Sequence, residues 1–167
     1  ATIAVRMRRG MASSSNAARA TPERVTLPVR EGARASGKPP VRIFLGTQQA
    51  QHRAERVFLW SIERVRDPGR IYEVWLMKGL SGFDSRRWTT GFTNYRFAIP
   101  DFSGRSGRAI YNDVDQIYLA DPAQLFDLPL DAHGFLAVAP EDSSVMLLDC
   151  ERMARVWSLE QAQRASK

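Results

Sequence analysis

The chain has 167 residues, 44% apolar side chains and four tryptophans, enough for one domain with a real core. It has no apolar run long enough for a transmembrane helix and no apolar segment near its start that would act as a secretory signal, and its single cysteine, Cys150, excludes an internal disulfide and fits a reducing, cytoplasmic setting. The net charge of +6 lies within residues 1–40, which hold eight Lys/Arg and two Glu, while residues 41–167 hold sixteen of each sign, so the high pI gives no support to a nucleic-acid-binding domain.

Residues 1–40, rich in Ser, Ala, Arg, Gly and Pro and without sustained periodicity, are expected to form a disordered basic leader. The first 22 residues carry no acid, as in an organelle transit peptide, although a plain flexible tail or an untranslated-region artefact explains the composition more simply. The chain begins with Ala1 rather than Met, which suits a fragment. The domain proper is expected over 41–167.

From Val41 the texture changes. "VRIFLGT" is a short β run closed by Gly46. "QAQHRAERVFLWSIERV" places Ala50, Ala54, Val57, Phe58, Ser61, Ile62 and Val65 on one helical stripe, stopped by "DPG" at 67–69. "RIYEVWL" is a second strand, completing a βαβ unit. "TNYRFAIP" predicts a short helix ended at Pro100, "FSGRSGR" a loop, and "RAIYNDVD" a third strand. "ADPAQLFDL" opens a short helix with Asp121 as cap and Pro122 in its first position. "GFLAVAP" and "SSVMLLDC" are strand-like, and Glu151 to Gln163 is helical. The order β-α-β-α-β-α-β-β-α predicts an α/β fold with a mostly parallel sheet flanked by helices.

In such sheets ligands gather at the carboxyl ends of strands, where Asp113 and Asp115 stand. If strand geometry persists, both side chains point the same way, about 6–7 Å apart. Left alone, the two charges repel and raise one pKa, and a hard divalent cation with oxygen ligands removes that conflict. The plainer reading is a turn or capping pair, since Asp-x-Asp arises often by chance.

The wider context is more specific. "FLGTQQAQHRAERVFLWSIERV", the block from Tyr95 to Leu125 and "SSVMLLDC" together resemble the family-8 glycosyltransferases and their bacterial relatives, nucleotide-sugar enzymes of the glycosyltransferase-A fold. The resemblance runs from about Val41 to about Trp157. It implies transfer of a hexose from a nucleotide sugar, a UDP-sugar by preference, to an unidentified acceptor, with retention of configuration. Asp113 and Asp115 match the family's metal-binding pair, which holds Mn2+ or Mg2+ on the donor diphosphate. The remaining donor contacts implied are Gly46 and Thr47 at base and ribose, Arg96, Asp113 with the intervening Val114, and Asp142 and Ser144. No catalytic nucleophile or base is implied.

Two departures stand out. The family's Asn-containing turn before the last long strand is replaced by Asp142-Ser143-Ser144, and the downstream His that completes the family's metal site has no counterpart before Lys167. His52, beside Arg53, and His133, before Gly134, are expected to be solvated. A non-catalytic α/β binding module that keeps the fold is the alternative.

Cys150 reads as a small buried hydrophobe. Trp60, Trp75 and Trp157 read as core. Trp88, in the loop "DSRRWTTGF", is the candidate functional aromatic, with Arg86 and Arg87 placed to meet phosphate or acceptor, against a simple solvated loop. Arg105 and Arg108 flank the third strand, and Arg108 is a candidate partner of Asp113 or Asp121. No P-loop and no G-x-G-x-x-G fingerprint is present, which disfavours an NTPase or a dinucleotide oxidoreductase.

Overall fold

The structure, a computed structural model, describes residues 20–84, 88 and 90–164. Six strands form one sheet: β1 (Glu23–Leu27), β2 (Val41–Gly46), β3 (Tyr72–Met77), β4 (Arg108–Asp113), β5 (Phe135–Ala139) and β6 (Asp142–Asp149), in the spatial order β1-β3-β2-β4-β6-β5. The expected βαβ unit is present. β2 leads through α1 (His52–Val65) to β3, and the two strands pair in parallel from Val41↔Tyr72 to Gly46↔Met77. β4 adds in parallel on the other side of β2. The parallel character is confined to these three central strands, because β1 runs antiparallel to β3 and the β5–β6 hairpin antiparallel to β4.

The alternation of the strands explains why the sheet is covered on both faces. Ile43, Leu45, Ile110 and Leu147 point to one side, where they pack with Phe58 and Ile62 of α1 and Ala123 and Phe126 of α3 (Pro122–Phe126). Phe44, Tyr111, Met146 and Leu148 point to the other, against Tyr95, Ile99, Cys150 and Met153. Near-continuous apolar runs such as "IFL" are what a strand buried on both faces requires. Cys150 is fully buried there, and burial pushes its thiol pKa up.

Several sequence expectations are corrected. Residues 1–19, with Arg6, Arg8, Arg9 and Arg19, lie outside the described residues. Residues 20–40, expected to be part of a disordered leader, belong to the fold. In β1, Val25 and Leu27 alternate inward while Arg24 and Thr26 face out, and Arg24 pairs with Glu73 at 3.0 Å and lies over the Trp75 ring. The segment that follows is tied down by Arg30 N–H to the Pro68 carbonyl (2.8 Å) and Ser36 N–H to the Gly69 carbonyl (2.7 Å). A Cβ at Gly69 would collide with the Arg34 carbonyl, so this close approach needs glycine.

Pro100 does not end a helix. A 3-10 helix over Thr93–Ala98 runs into α2 (Ile99–Phe102), with Pro100 in its first turn, where a missing N–H costs nothing. The expected tail helix is two pieces, α4 (Cys150–Met153) and α5 (Leu159–Arg164). On α1, Ala50 precedes the helix and Val57 and Trp60 face solvent, at 52% and 61% exposure; the buried face is Glu55, Phe58, Ser61 and Ile62. Trp75 stacks on Phe44 and Trp157 meets Phe97 edge-on, both half-buried, as expected. Arg108 pairs with neither Asp113 nor Asp121. It donates to the carbonyls of Phe126 and Leu128. Asp121 caps α3 as expected, accepting from Ala123 N–H at 2.9 Å. No helix among the described residues is long and apolar enough to cross a membrane.

Candidate functional site

β4 ends at Asp113, and Val114 and Asp115 are already in a turn. The two-residue strand repeat therefore stops between the two acids. Asp113 keeps a quarter of its side chain exposed, while Asp115 is in solvent. Gly46 ends the neighbouring strand in register with Asp113, and its carbonyl accepts the Val114 N–H at 3.1 Å. The Val114 side chain is buried in the core, so only its backbone reaches the site.

Asp113 is held from two sides. The Tyr111 hydroxyl, two residues back on the same strand face, donates to Oδ1 at 2.6 Å. The Arg96 guanidinium stands 3.6 Å from the same oxygen and lies over the Tyr111 ring, 4.4 Å from its centre. Burial raises the Asp113 pKa, the Tyr111 bond and Arg96 work against that rise, and the charges of Asp115 and Asp142 add to it. Three carboxylates thus sense one another at the carboxyl edge of the sheet.

Arg96 also fixes the opposite wall. Its Nε donates to the Thr93 carbonyl (3.0 Å), and Nη1 donates to the Ser143 carbonyl (2.8 Å) and Oγ (2.5 Å). The Asp142-Ser143-Ser144 turn is closed by Asp142 Oδ1, which accepts from Ser144 N–H (2.9 Å) and Oγ–H (2.6 Å), bonds that lower the Asp142 pKa. Gln116 donates to Ser144 Oγ (3.0 Å) and accepts from the Asn112 amide (2.9 Å), whose oxygen takes the Tyr118 hydroxyl (2.6 Å). Gly46, Arg96, Asp113, Asp142 and Ser144 therefore form one connected edge.

Thr47 is buried and linked elsewhere. Its hydroxyl donates to Glu55 Oε1 at 2.8 Å, and Lys78 Nζ clamps both Glu55 oxygens at 2.7 and 2.6 Å. Sequence reasoning missed Tyr111, Ser143, Gln116, Glu55 and Lys78. Only Tyr111 carried a signal, its spacing of two from Asp113. His52 and His133 are exposed, as expected. Trp88 lies 6.2 Å from the Phe97 ring, and Arg86 and Arg87 lie outside the described residues.

Asp113 and Asp115 offer carboxylate oxygens, the donor type a hard cation takes. Among the described residues no group of three or more His, Cys, Asp or Glu side chains is placed to enclose an ion. Two carboxylates are what Mg2+ commonly takes from protein when phosphate oxygens and water fill the rest of its shell.

Three solved structures share this architecture. The chain superposes on the apo structure of WbbM, a bifunctional glycosyltransferase, with a TM-score of 0.59 and 12% identity, over 74% of this chain and 34% of that one. Two structures of the glycosyltransferase GlyE from Streptococcus pneumoniae TIGR4, one of them the apo form, each match with a TM-score of 0.53 and 18% identity, over 76% of this chain and 37% of theirs. The chain shares its fold with part of these three structures and spans about a third of their length. No protein-family model and no curated protein matches the sequence.

Proposed function

We propose that the chain is the nucleotide-sugar-binding part of a metal-dependent glycosyltransferase, akin to family 8, that moves a hexose from a UDP-sugar to an acceptor with retention. The observation that carries this reading is Asp113: a half-buried carboxylate at the end of a central strand, gripped by Tyr111 and Arg96 and flanked by Asp115 and Asp142. Perturbed carboxylates so placed in an α/β sheet mark ligand sites.

In this reading Asp113 and Asp115 would hold Mn2+ or Mg2+, which when bound supplies Lewis-acid stabilisation of the departing diphosphate. Tyr111 and Arg96 orient the Asp113 carboxylate in advance. Gly46 lets Tyr111 and Phe92 close against the strand end beside Asp113, since a Cβ there would fall 2.7 Å from Phe92 Cδ2. Asp142 and Ser144 present oxygens to sugar hydroxyls from a turn that Arg96 anchors.

Calorimetric titration of UDP, with Mn2+ or with EDTA, on the wild type and on Asp113→Asn/Asp115→Asn, tests the reading. Binding that needs both metal and carboxylates supports it. A folded chain that binds UDP under no condition removes it.

A non-catalytic binding module is the second reading. It draws on the absence, among the described residues, of a third carboxylate or imidazole ligand. Release of UDP from UDP-hexoses in the presence of Mn2+ distinguishes them, because the module would bind donor without turnover.

A further inference from the structure

The outer face of α1 has no place in the donor site. On a helical projection Arg53, Arg56, Val57, Trp60 and Arg64 fall within one sector of about 100°. All five are exposed, Trp60 at 61% and Val57 at 52%, and Arg53, Arg56, Val57 and Trp60 line a shallow depression. Arg64 lies over the Trp60 ring at 5.4 Å. No carboxylate among the described residues pairs with these three arginines. Glu63 is taken by Arg30 and Arg66, and Glu55 faces inward to Lys78.

A second apolar element flanks this sector. Tyr118 N–H donates to Ser61 Oγ at 3.0 Å, and the Tyr118 ring packs on Phe58. Ser61 is one turn from Val57, on the same row of the helix. The segment around Tyr118 therefore lies beside the helix at Ser61, and its flanking Ile117 and Leu119 are exposed, at 53% and 85%. Together α1 and this neighbouring segment expose three arginines without a carboxylate partner among the described residues, one tryptophan and three aliphatic side chains.

We propose that this face docks on an anionic lipid bilayer. The charge excludes a second copy of the same face, since like charges would meet. Single-stranded nucleic acid would use Arg53, Arg56, Arg64 and Trp60 but has no use for Val57, Ile117 and Leu119. A bilayer surface uses all of them: phosphate headgroups meet the guanidinium groups, the indole sits at the interface, and the aliphatic groups enter the acyl boundary. Arginines beside an exposed tryptophan are the combination that an anionic headgroup layer attracts.

The test is co-sedimentation of the full chain with large vesicles of equal parts phosphatidylglycerol and phosphatidylcholine, against vesicles of phosphatidylcholine alone. Binding is expected only to the anionic vesicles, weakening as salt rises. Each arginine neutralised should lower partitioning about fivefold, so Arg53→Gln/Arg56→Gln should lower it roughly 25-fold. Trp60→Ser should weaken binding at low and high salt alike. All three positions are exposed, so the thermal midpoint of each variant should stay at the wild-type value, which separates lost docking from lost folding. The basic leader is the control: Arg6→Ser/Arg8→Ser/Arg9→Ser should leave the contribution of Arg53, Arg56 and Trp60 intact. No binding to anionic vesicles, equal binding to neutral ones, or binding that ignores Arg53, Arg56 and Trp60 and depends on the leader alone overturns the proposal. Binding of poly-uridylate through Trp60 more tightly than of the vesicles would reassign the face and also overturn it.

Discussion

Gly46→Ala should be among the most damaging single-methyl changes in the chain. The added Cβ would lie 2.7 Å from Phe92 Cδ2 and closer still to the Tyr111 hydroxyl, where ordinary contacts begin near 3.4 Å. Phe92 is buried and cannot step aside freely. Overpacking of this kind costs about 1–3 kcal/mol. The Tyr111 hydroxyl must also leave Asp113, and a hydrogen bond to a charged group is worth about 1.5–3 kcal/mol. The two effects share atoms and do not simply add, so about 3 kcal/mol is expected. For a domain of this size that lowers the thermal midpoint by about 6–12 °C. The assay is thermal and urea unfolding of four proteins: wild type, Gly46→Ala, Tyr111→Phe and the double variant. Removing the hydroxyl removes the worse contact, so Gly46→Ala should cost about 1 kcal/mol or more less in the Tyr111→Phe background. Strictly additive costs, or a Gly46→Ala protein as stable as wild type, would refute the packing argument.

Lys78→Met leaves the buried Glu55 carboxylate with only Thr47 and should cost about 3–5 kcal/mol, most of it recovered in Lys78→Met/Glu55→Leu; urea midpoints decide this. Asp113→Asn should destroy metal-dependent UDP binding yet raise stability at neutral pH. The folded pKa of Asp113 lies above its unfolded value, so its favourable contribution is present at low pH and lost as pH rises through the folded pKa, leaving a half-buried charge that costs stability. A variant less stable than wild type at pH 7 would contradict that sign. Asp127 runs the other way. Its bidentate bonds to Arg70 hold its pKa below the ordinary carboxylate value, so its stabilisation is full above about pH 4 and lost as pH falls through the folded pKa. Asp127→Asn should flatten that part of the acid-unfolding profile. Deleting residues 1–30 strips β1 from the edge of β3 and should lower the urea midpoint, because that edge would then stand open.

What the sequence made legible follows how strongly each element declares itself. β2, β3, β4 and β6 are apolar runs or alternations bounded by turn residues, and each stands within two residues of its expected place at either end. Asp121-Pro122 announced α3 because a cap and a ring-locked φ act locally. β1 did not declare itself. Five residues between Pro22 and Pro28, three of them polar, form a strand only because β3 offers an open edge. Trp60 misled because a large aromatic on an amphipathic helix reads as core, and nothing local says which way it turns. At the site, Asp113 and Asp115 were visible as a pair, but their unequal burial depends on where β4 stops. Lys78 lies 23 residues from Glu55 and Ser143 lies 47 from Arg96, separations at which sequence carries no pairing signal.

Arg96 has an evolutionary consequence. One guanidinium faces the Asp113 carboxylate and grips the backbone and hydroxyl of Ser143. Any change in the 142–144 turn would shift Arg96, and with it the basicity of Asp113. If the turn meets the sugar and Asp113 the diphosphate, as proposed, donor preference and phosphate affinity would be inherited as one trait, and variants that change the first while sparing the second should be found only where a replacement anchors Arg96.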